Sequence, residues 1–255
     1  MKRVVMIGAG NVATSLAHAL RGRCQLAQVY SRRMEHARLL AGVVGAEAVD
    51  NPAAVAGDAD VYVVAVPDDA IAGVVEAAPP TDGLWLHTSG SVPMEVFAGR
   101  RCRYGVLYPL QSFSRDLLVD LSRVHFFVEG SSAAVTAQIT DFTRRFLSEN
   151  VTFADSRRRR NLHLAAVFAC NFANHMWSLA ADVMARDGLP FNAMLPLIES
   201  TVEKLHHLSP SQSQTGPAAR GDVEVMRRHL SMLHGDEEEI YRLLSQSIMN
   251  HKAQK

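Results

Sequence analysis

The sequence is poor in cysteine and has no excess charge of either sign. Its three cysteines, Cys24, Cys102 and Cys170, are widely spaced among 255 residues, and an odd number at such spacings suits neither a disulfide framework nor a zinc site. We therefore expect reduced thiols in a cytoplasmic protein and no metal. Lysine plus arginine and aspartate plus glutamate both total 26, so no global field favours nucleic acid or an acidic membrane.

Long apolar runs are also missing. No stretch approaches the ~20 uninterrupted apolar residues that cross a bilayer, and the first residues, MKRVVMIGAG, enter a strand without a signal-peptide pattern. We expect no membrane association. The only dense basic run, Arg157 to Arg160, is too short to follow a phosphate backbone, and we interpret it as solvated surface at a domain junction.

What the sequence does contain is an alternation of apolar strands and amphipathic helices as far as Asp155. Continuous apolar strands alternating with helices predict a doubly wound, mostly parallel α/β sheet of the Rossmann type over residues 1–155. From residue 156 to 255 the pattern predicts a smaller, all-helical domain. Its helices are expected over residues 161–187, 190–208 and 218–250, separated by glycine and proline.

A glycine motif follows the first strand. Gly8, Gly10 and Ala13 fit G-x-G-x-x-A at the start of the first helix, with Asn11 and Val12 between them. The first glycine permits a tight turn, the second lets a pyrophosphate approach the backbone, and the alanine allows close packing of helix on strand. We predict dinucleotide binding here; an ordinary tight turn is the alternative.

The end of the second strand indicates which dinucleotide binds. A carboxylate there would bond the ribose 2′-hydroxyl of NAD, but this chain has Ser31, Arg32 and Arg33. Guanidinium groups suit a 2′-phosphate. The sequence therefore predicts NADP(H), unless these arginines are merely solvated surface.

Polar groups follow the next strands at the edge where ligands bind in such sheets. Val66, Pro67 and Asp68 are predicted to border the cofactor, or to form a simple turn. Thr88 and Ser89, beside the permissive Gly90, could bond a nicotinamide amide or a substrate carboxylate, or could only cap a turn. The predicted cleft-facing group after the following strand is Gln111.

The predicted first helix of the second domain is apolar except for a few polar side chains. At helical spacing His163, Asn171 and Asn174 share one sector, with His175 at its margin. This favours a pocket wall over scattered core residues. In that interpretation the two asparagines orient a substrate carbonyl or carboxylate and His163 donates a proton, with His175 in reserve.

A second candidate wall lies near the carboxy terminus. Pro217 suits the first turn of a helix that Thr215 or Gly216 would cap, and Arg220 could bind a carboxylate one turn inside. Alternatively, Asp222 pairs with Arg220 or with an arginine of the 157–160 run, and the segment is structural.

Six stretches together resemble a known family: IGAGNVATSLAHAL, AVPDDAI, HTSGS, YPLQSFS, HLAAVFACNFANH and QTGPAARGD. This is a family of Rossmann-like proteins with a helical carboxy-terminal domain of uncharacterised function, similar to the ketopantoate, pyrroline-5-carboxylate and 6-phosphogluconate types of reductase. The resemblance implies NADP binding and a dimerising helical domain. Many of those reductases carry a catalytic lysine on the first long helix of the second domain, and this helix has none.

The leading hypothesis is an NADPH-dependent oxidoreductase that reduces a carbonyl or imine of a small carboxylate in a cleft between the two domains. A homodimer through the helical domain is expected, because long apolar helices in so small a domain leave much surface to cover. Two alternatives stay open: a noncatalytic NADP(H)-binding or redox-sensing protein, and a dehydrogenase of the prephenate type.

Overall fold

The computed structural model describes residues 1–114 and 117–253. The chain forms two compact units, Met1–Asn171 and Phe172–Lys255. Within the described ranges, no helix has the length and apolar character needed to span a membrane, and no three histidine, cysteine or acidic side chains are grouped to hold a metal ion.

The first unit is built on one sheet. Its strands are β1 (Arg3–Ile7), β2 (Gln25–Tyr30), β3 (Glu47–Val49), β4 (Val61–Val64), β5 (Leu84–His87), β6 (Arg103–Pro109), β7 (Phe126–Gly130) and β8 (Val151–Phe153). They lie in the order β3-β2-β1-β4-β5-β6-β7-β8. Every neighbouring pair is parallel except β6 and β7. The predicted doubly wound, mostly parallel sheet is confirmed.

Helices cover both faces of this sheet. They are α1 (Asn11–Leu20), α2 (Met34–Val44), α3 (Ile71–Ala77), α4 (Ala133–Phe146) and α5 (Ser156–Ala166). Side chains alternate across the sheet, so Val4 and Met6 enter one apolar cluster while Val5 and Ile7 enter the other. Strands buried on both faces need continuous apolar sequence. That requirement is why RVVMI and VYVV were recognisable as strands.

One strand and one helix start were not predicted. Strand β3 has only three residues, too few to show an alternation, and it is recognised by its pairing with β2. Helix α5 begins at Ser156 rather than at residue 161, because the Asp155 carboxylate accepts a hydrogen bond from the Arg158 amide and caps it. The predicted boundary after Asp155 thus coincides with the change from strand to helix, whereas the compact units divide at Asn171. The assignment of 1–155 and 156–255 to separate domains stays a prediction.

After α5 the chain continues through a π-helical segment, Val167–Phe172, and the remaining helices. These are α6 (Ala173–Ala185), α7 (Leu195–Lys204), α8 (Pro217–Arg220), α9 (Val223–Leu230) and α10 (Asp236–Ala253). The single helix expected over 218–250 is wrong, because the segment forms three helices. Gly221, with a positive φ of 73°, ends α8, and α9 ends at Leu230, six residues before α10 begins at Asp236. Asp222 does not pair with Arg220, since its carboxylate accepts the Val225 amide and caps α9.

A buried ion pair anchors α5 in the first unit. Arg159 is fully buried; its Nη1 donates to Glu129 Oε2 at 2.5 Å and its Nη2 to the Val92 carbonyl at 2.6 Å. Glu129 also accepts from the amide and the hydroxyl of Ser156 at 3.0 and 2.9 Å. The prediction that residues 157–160 are all solvated is therefore wrong for Arg159, whose partners come from β7 and from the loop after β5.

Arg159→Met is expected to lower the free energy of unfolding by about 3–5 kcal/mol, because it leaves the Glu129 carboxylate buried without its countercharge. Urea-induced unfolding measures the change. Arg158→Met is the matched control: this neighbour is exposed, and its loss should change stability by no more than about 0.5 kcal/mol. Equal small effects of both substitutions would contradict an anchoring role for Arg159.

Candidate functional site

The glycine turn joins the ends of three strands. Gly8 has a φ of 131°, and a Cβ atom there would lie 2.2 Å from the Ala65 carbonyl oxygen. Its amide donates to the Tyr30 carbonyl at 2.8 Å. Only glycine satisfies both constraints. A Cβ at Gly10 would meet nothing within 4 Å, so this position faces open space. Ala13, a residue of α1, is fully buried.

Beside this turn is a cavity of about 520 Å³. Its lining includes Gly8, Gly10, Ser31, Arg32 and Arg33, all predicted to bind the cofactor. Both arginines are exposed, and no ion pair holds either of them in the described part of the chain. Among the described residues that line the cavity there is no carboxylate. Guanidinium groups in such surroundings suit a phosphate, and the assignment of this position to the 2′-phosphate stays a prediction.

His36 also lines this cavity and was missed. It lies in the first turn of α2, three residues after Arg33, where its ring reaches the same space. The available signal was helical spacing from the arginines, but one histidine on a polar helix gives no sequence pattern to distinguish it from surface.

A second cavity, of about 700 Å³, continues from the first, since both are lined by Gly10, Ala65, Val66 and Pro67. It brings together most of the predicted residues: Asn11, Val12, Asp68, Thr88, Ser89, Gln111, His163 and Asn171. The Asn11 side chain donates to the Phe113 carbonyl at 2.9 Å, which fixes the loop after β6 against the start of α1. The two cavities form one path from the phosphate-binding turn to the second set of polar groups.

The loop after β5 is held by its own hydroxyl groups. Ser89 Oγ accepts the amides of Ser91 and Val92 at 3.1 and 3.0 Å, and Ser91 Oγ donates to the Asp68 carboxylate. These are the contacts of the turn-capping alternative. Ser89 nevertheless lines the cavity, so its role toward a ligand stays a prediction.

Tyr108 is a polar residue of the second cavity that sequence reasoning missed. It lies near the carboxyl end of β6, only 7% exposed, and its hydroxyl is 3.1 Å from His163 Nδ1. Burial raises the pKa of Tyr108 above its ordinary value of 10.0; the Arg159 charge opposes this shift and Cys170 adds to it. YPLQSFS was recognised as a strand end, but an aromatic residue in a strand is usually core, and nothing local indicated its partner.

Gly90 makes room for this pair. A Cβ atom at residue 90 would lie 2.7 Å from both Cγ and Nδ1 of His163. The neighbouring His87 is different, because burial lowers its pKa to about 3, with the Arg159 charge acting in the same direction. His87 is therefore neutral at physiological pH and does not supply an acidic proton there.

The helical face predicted around His163 is only partly correct. The π-helical segment, Val167–Phe172, uses i→i+5 hydrogen bonds, so side chains beyond it are rotated from the positions that a regular α-helix gives. His163 and Asn171 line the 700 Å³ cavity, whereas Asn174 and His175 are not among its lining residues. All four side chains are exposed in the single chain.

Arg220 lies in a different place. It lines a separate cavity of about 560 Å³ in the helical unit, together with His251 and Lys252. Gly216 is the N-cap of α8, and no side chain, Thr215 included, caps it. Arg220 is therefore not grouped with the cavity of the first unit, and its predicted carboxylate contact stays a prediction.

Two family descriptions match the chain. Residues 3–85 match "NADP oxidoreductase coenzyme F420-dependent", and residues 124–248 match a domain of unknown function, DUF2520. No curated protein matches.

Among solved structures, a Bacteroides fragilis protein assigned as an NADP oxidoreductase is 44% identical, with a TM-score of 0.90 over 98% of both chains. Pyrroline-5-carboxylate reductase from Streptococcus pyogenes is 12% identical (TM-score 0.66, covering 99% of this chain and 98% of that one). A reductive aminase from Aspergillus terreus, solved with NADPH and ethyl levulinate, is 15% identical (TM-score 0.62, covering 91% and 78%). The latter two share the fold.

The fold and the paired cavities define a Rossmann-type dinucleotide-binding protein. The chain belongs to the family of NADP oxidoreductases that combine this domain with a DUF2520 helical domain, which confirms the resemblance noted from its motifs. Its cofactor is NADP(H). The residues present fit this cofactor: a glycine turn with an open side at Gly10 and two arginines at the end of β2, where the 2′-phosphate is predicted to bind.

Arg32→Ala combined with Arg33→Ala is expected to raise the Kd for NADPH at least tenfold, about 1.4 kcal/mol, and to change the Kd for NADH less than twofold. Only NADPH carries the phosphate that these guanidinium groups would bind. Calorimetric titration with each nucleotide measures both constants. Arg38→Ala, on helix α2 just after these arginines but outside the cavity, is the control and should leave both constants unchanged. Equal losses for NADPH and NADH would contradict the phosphate assignment.

Proposed function

We propose that the protein is an NADPH-dependent reductase of a carbonyl or imine group in a small carboxylate, acting in the 700 Å³ cavity of the first unit. The carrying observation is the continuity of the two cavities through Gly10, Ala65, Val66 and Pro67. A cofactor whose phosphate lies at Arg32 and Arg33 and whose pyrophosphate lies at the glycine turn would extend toward the second cavity. A substrate there would be next to the reactive end of the cofactor.

The chemistry asks little of the protein besides orientation, charge stabilisation and a proton. NADPH supplies the hydride. Val66, Pro67, Asp68 and Thr88 border the cavity where the nicotinamide would be held, and the side chains of Ser89, Gln111 and Asn171 could bond a carbonyl oxygen or a carboxylate. No lysine or arginine lines this cavity in the described part of the chain, so amide and hydroxyl groups, rather than a cation, would orient the substrate.

The direct test is NADPH consumption by the purified protein with a panel of carbonyl and imine compounds. The relatives suggest 1-pyrroline-5-carboxylate and ethyl levulinate, to which small 2-keto acids are added. Substrate-dependent NADPH oxidation is expected for at least one compound. Asn171→Ala should lower kcat/KM roughly tenfold, the loss of about one good hydrogen bond, with an unchanged Kd for NADPH. Asn192→Ala, in the helical unit, is the control.

The absent helix lysine favours a second candidate, a noncatalytic NADP(H)-binding or redox-sensing protein. That protein would consume no NADPH with any compound, but NADPH and NADP⁺ would produce different oligomeric states or shapes. Small-angle scattering with each form of the cofactor distinguishes the two functions.

We also propose that the helical unit forms a homodimer. Its described buried apolar residues are only Met184, Ala218, Ala219 and Met226, whereas many large apolar side chains, Leu243 at 70% among them, are exposed. Large apolar side chains exposed in such number favour an interface, and a second copy of the chain is the simplest partner.

Leu243→Glu is expected to convert the dimer to monomer, because a carboxylate placed in an apolar interface must be desolvated without a partner. Light scattering after gel filtration measures the mass. Leu39→Glu is the matched control, since Leu39 is 63% exposed on α2 of the other unit, and the dimer should persist. A monomeric wild-type protein would contradict the proposal.

A further inference from the structure

We propose that the Tyr108 hydroxyl is the acid that protonates the substrate atom receiving electrons, and that His163 returns a proton to Tyr108. This inference rests on the proposed reduction and identifies the proton donor that the missing lysine would otherwise supply. It assigns Tyr108 as a catalytic residue and His163 as the group through which Tyr108 is recharged.

The geometry places both groups at one wall. Tyr108 and His163 line the same 700 Å³ cavity, with Oη and Nδ1 3.1 Å apart and the rings edge to face at 6.1 Å. Tyr108 is buried in the sheet and pairs with Phe127 of β7, whereas His163 is exposed on α5. The phenol therefore has a defined position in the cavity, and the imidazole has access to water.

The hydrogen bond between them leaves the phenolic proton available in one tautomer. When Nδ1 carries a proton, it donates to Tyr108 Oη, and the O–H of Tyr108 is free to donate to a second acceptor. A substrate oxygen or nitrogen in the cavity would be that acceptor. In the opposite tautomer Tyr108 donates to Nδ1 and has no proton for the substrate, so the proposal requires His163 to be the donor.

The proton balance closes with water as the only further reactant. The hydride carries the electron pair to the carbon of the C=O or C=N bond. The Tyr108 O–H bond breaks and a new O–H or N–H bond forms on the substrate. The phenolate takes the Nδ1 proton of His163 while Nε2 takes a proton from the solvent, and exchange with water returns the ring to its Nδ1–H tautomer. Each turnover thus consumes one hydride and one solvent proton.

Two neighbours hold the pair in place. Gly90 gives His163 its space, because a Cβ there would lie within 2.7 Å of the imidazole ring. Arg159, one helical turn before His163, fixes α5 through Glu129 and the Val92 carbonyl. Both are positioning residues: Arg159 is not among the residues that line the cavity, and Gly90, which is, has no side chain to act on a substrate.

Tyr108→Phe tests the acid because it removes one oxygen and keeps the ring. We expect kcat for the best substrate of the panel to fall by about 10²–10⁴-fold, the usual contribution of general acid catalysis, while the Kd for NADPH by calorimetry changes less than twofold. Tyr104→Phe, on the same strand but outside the cavity, is the control and should retain full kcat.

His163 variants test the return of the proton. His163→Ala should lower kcat. The kcat of this variant should fall further in D₂O, because water must then protonate the phenolate directly. His163→Asn can place an amide N–H near the position of Nδ1, so it should keep the Kd and restore the orientation of Tyr108 but not the proton return. If His163→Ala and His163→Asn both kept the wild-type kcat, the role of His163 would be overturned.

The pH dependence distinguishes the two possible acids. Tyr108 acts in its protonated form, so activity is present below its pKa and lost as the pH rises through that value. Burial raises this pKa above 10.0; the Arg159 charge opposes the shift and Cys170 adds to it. A histidine acid of ordinary pKa would lose activity above about pH 6.5. A kcat profile that is flat from neutral pH to about 10 supports Tyr108; a fall near neutrality overturns it.

A readout without turnover is the near-ultraviolet absorbance of phenolate. Subtracting the titration of Tyr108→Phe from that of the wild-type protein should show one phenol that ionises above pH 10. His163→Ala should shift the pH at which this phenol ionises. A difference phenol that ionises below 10, or full kcat in Tyr108→Phe, would overturn the inference while leaving the reductase itself intact. A wild-type protein that consumes no NADPH with the entire panel would overturn both.

Discussion

The cavity depends on the buried contact between Arg159 and Glu129. A guanidinium and a carboxylate without water are costly unless their hydrogen bonds are satisfied, and here Ser156 and the Val92 carbonyl satisfy most of them. These bonds join the first turn of α5 to β7 and to the loop after β5. His163 follows Arg159 by one helical turn, so the same contact that orders α5 directs an imidazole toward Tyr108. The buried pair thus holds in place the part of the cavity wall that α5 forms.

A second constraint acts at the other end of the path. The Ala65 carbonyl lies so close to Gly8 that no side chain fits there, and this close approach brings the ends of β1 and β4 together under the cofactor site. The environment then changes along the path. Arg32 and Arg33 line the end predicted to bind phosphate, whereas no lysine or arginine lines the other end among the residues that the structure describes. In the proposed function, cofactor binding and the reaction therefore depend on different side chains.

Local patterns predicted the parts of the site that one segment builds alone. The glycine turn, Ser31, Arg32 and Arg33, and the polar groups at the strand ends all line the cavities, because a strand and its following turn determine where those side chains lie. Tyr108 could not be recognised, since its partner is 55 residues away. Asn174 is not among the residues that line this cavity, and the π-helical segment before it changes the regular helical spacing on which its prediction depended.

The sequence by itself determined the order of strands and helices, the dinucleotide turn and the preference for a phosphorylated cofactor, because each follows from short-range sterics and charge. Only the tertiary structure decided that one arginine of a basic run is buried, that Tyr108 contacts His163, and that the His163 imidazole occupies the space that a side chain at Gly90 would fill. These facts depend on contacts between segments far apart in the chain. No local periodicity encodes such contacts; they result from how strands and helices pack.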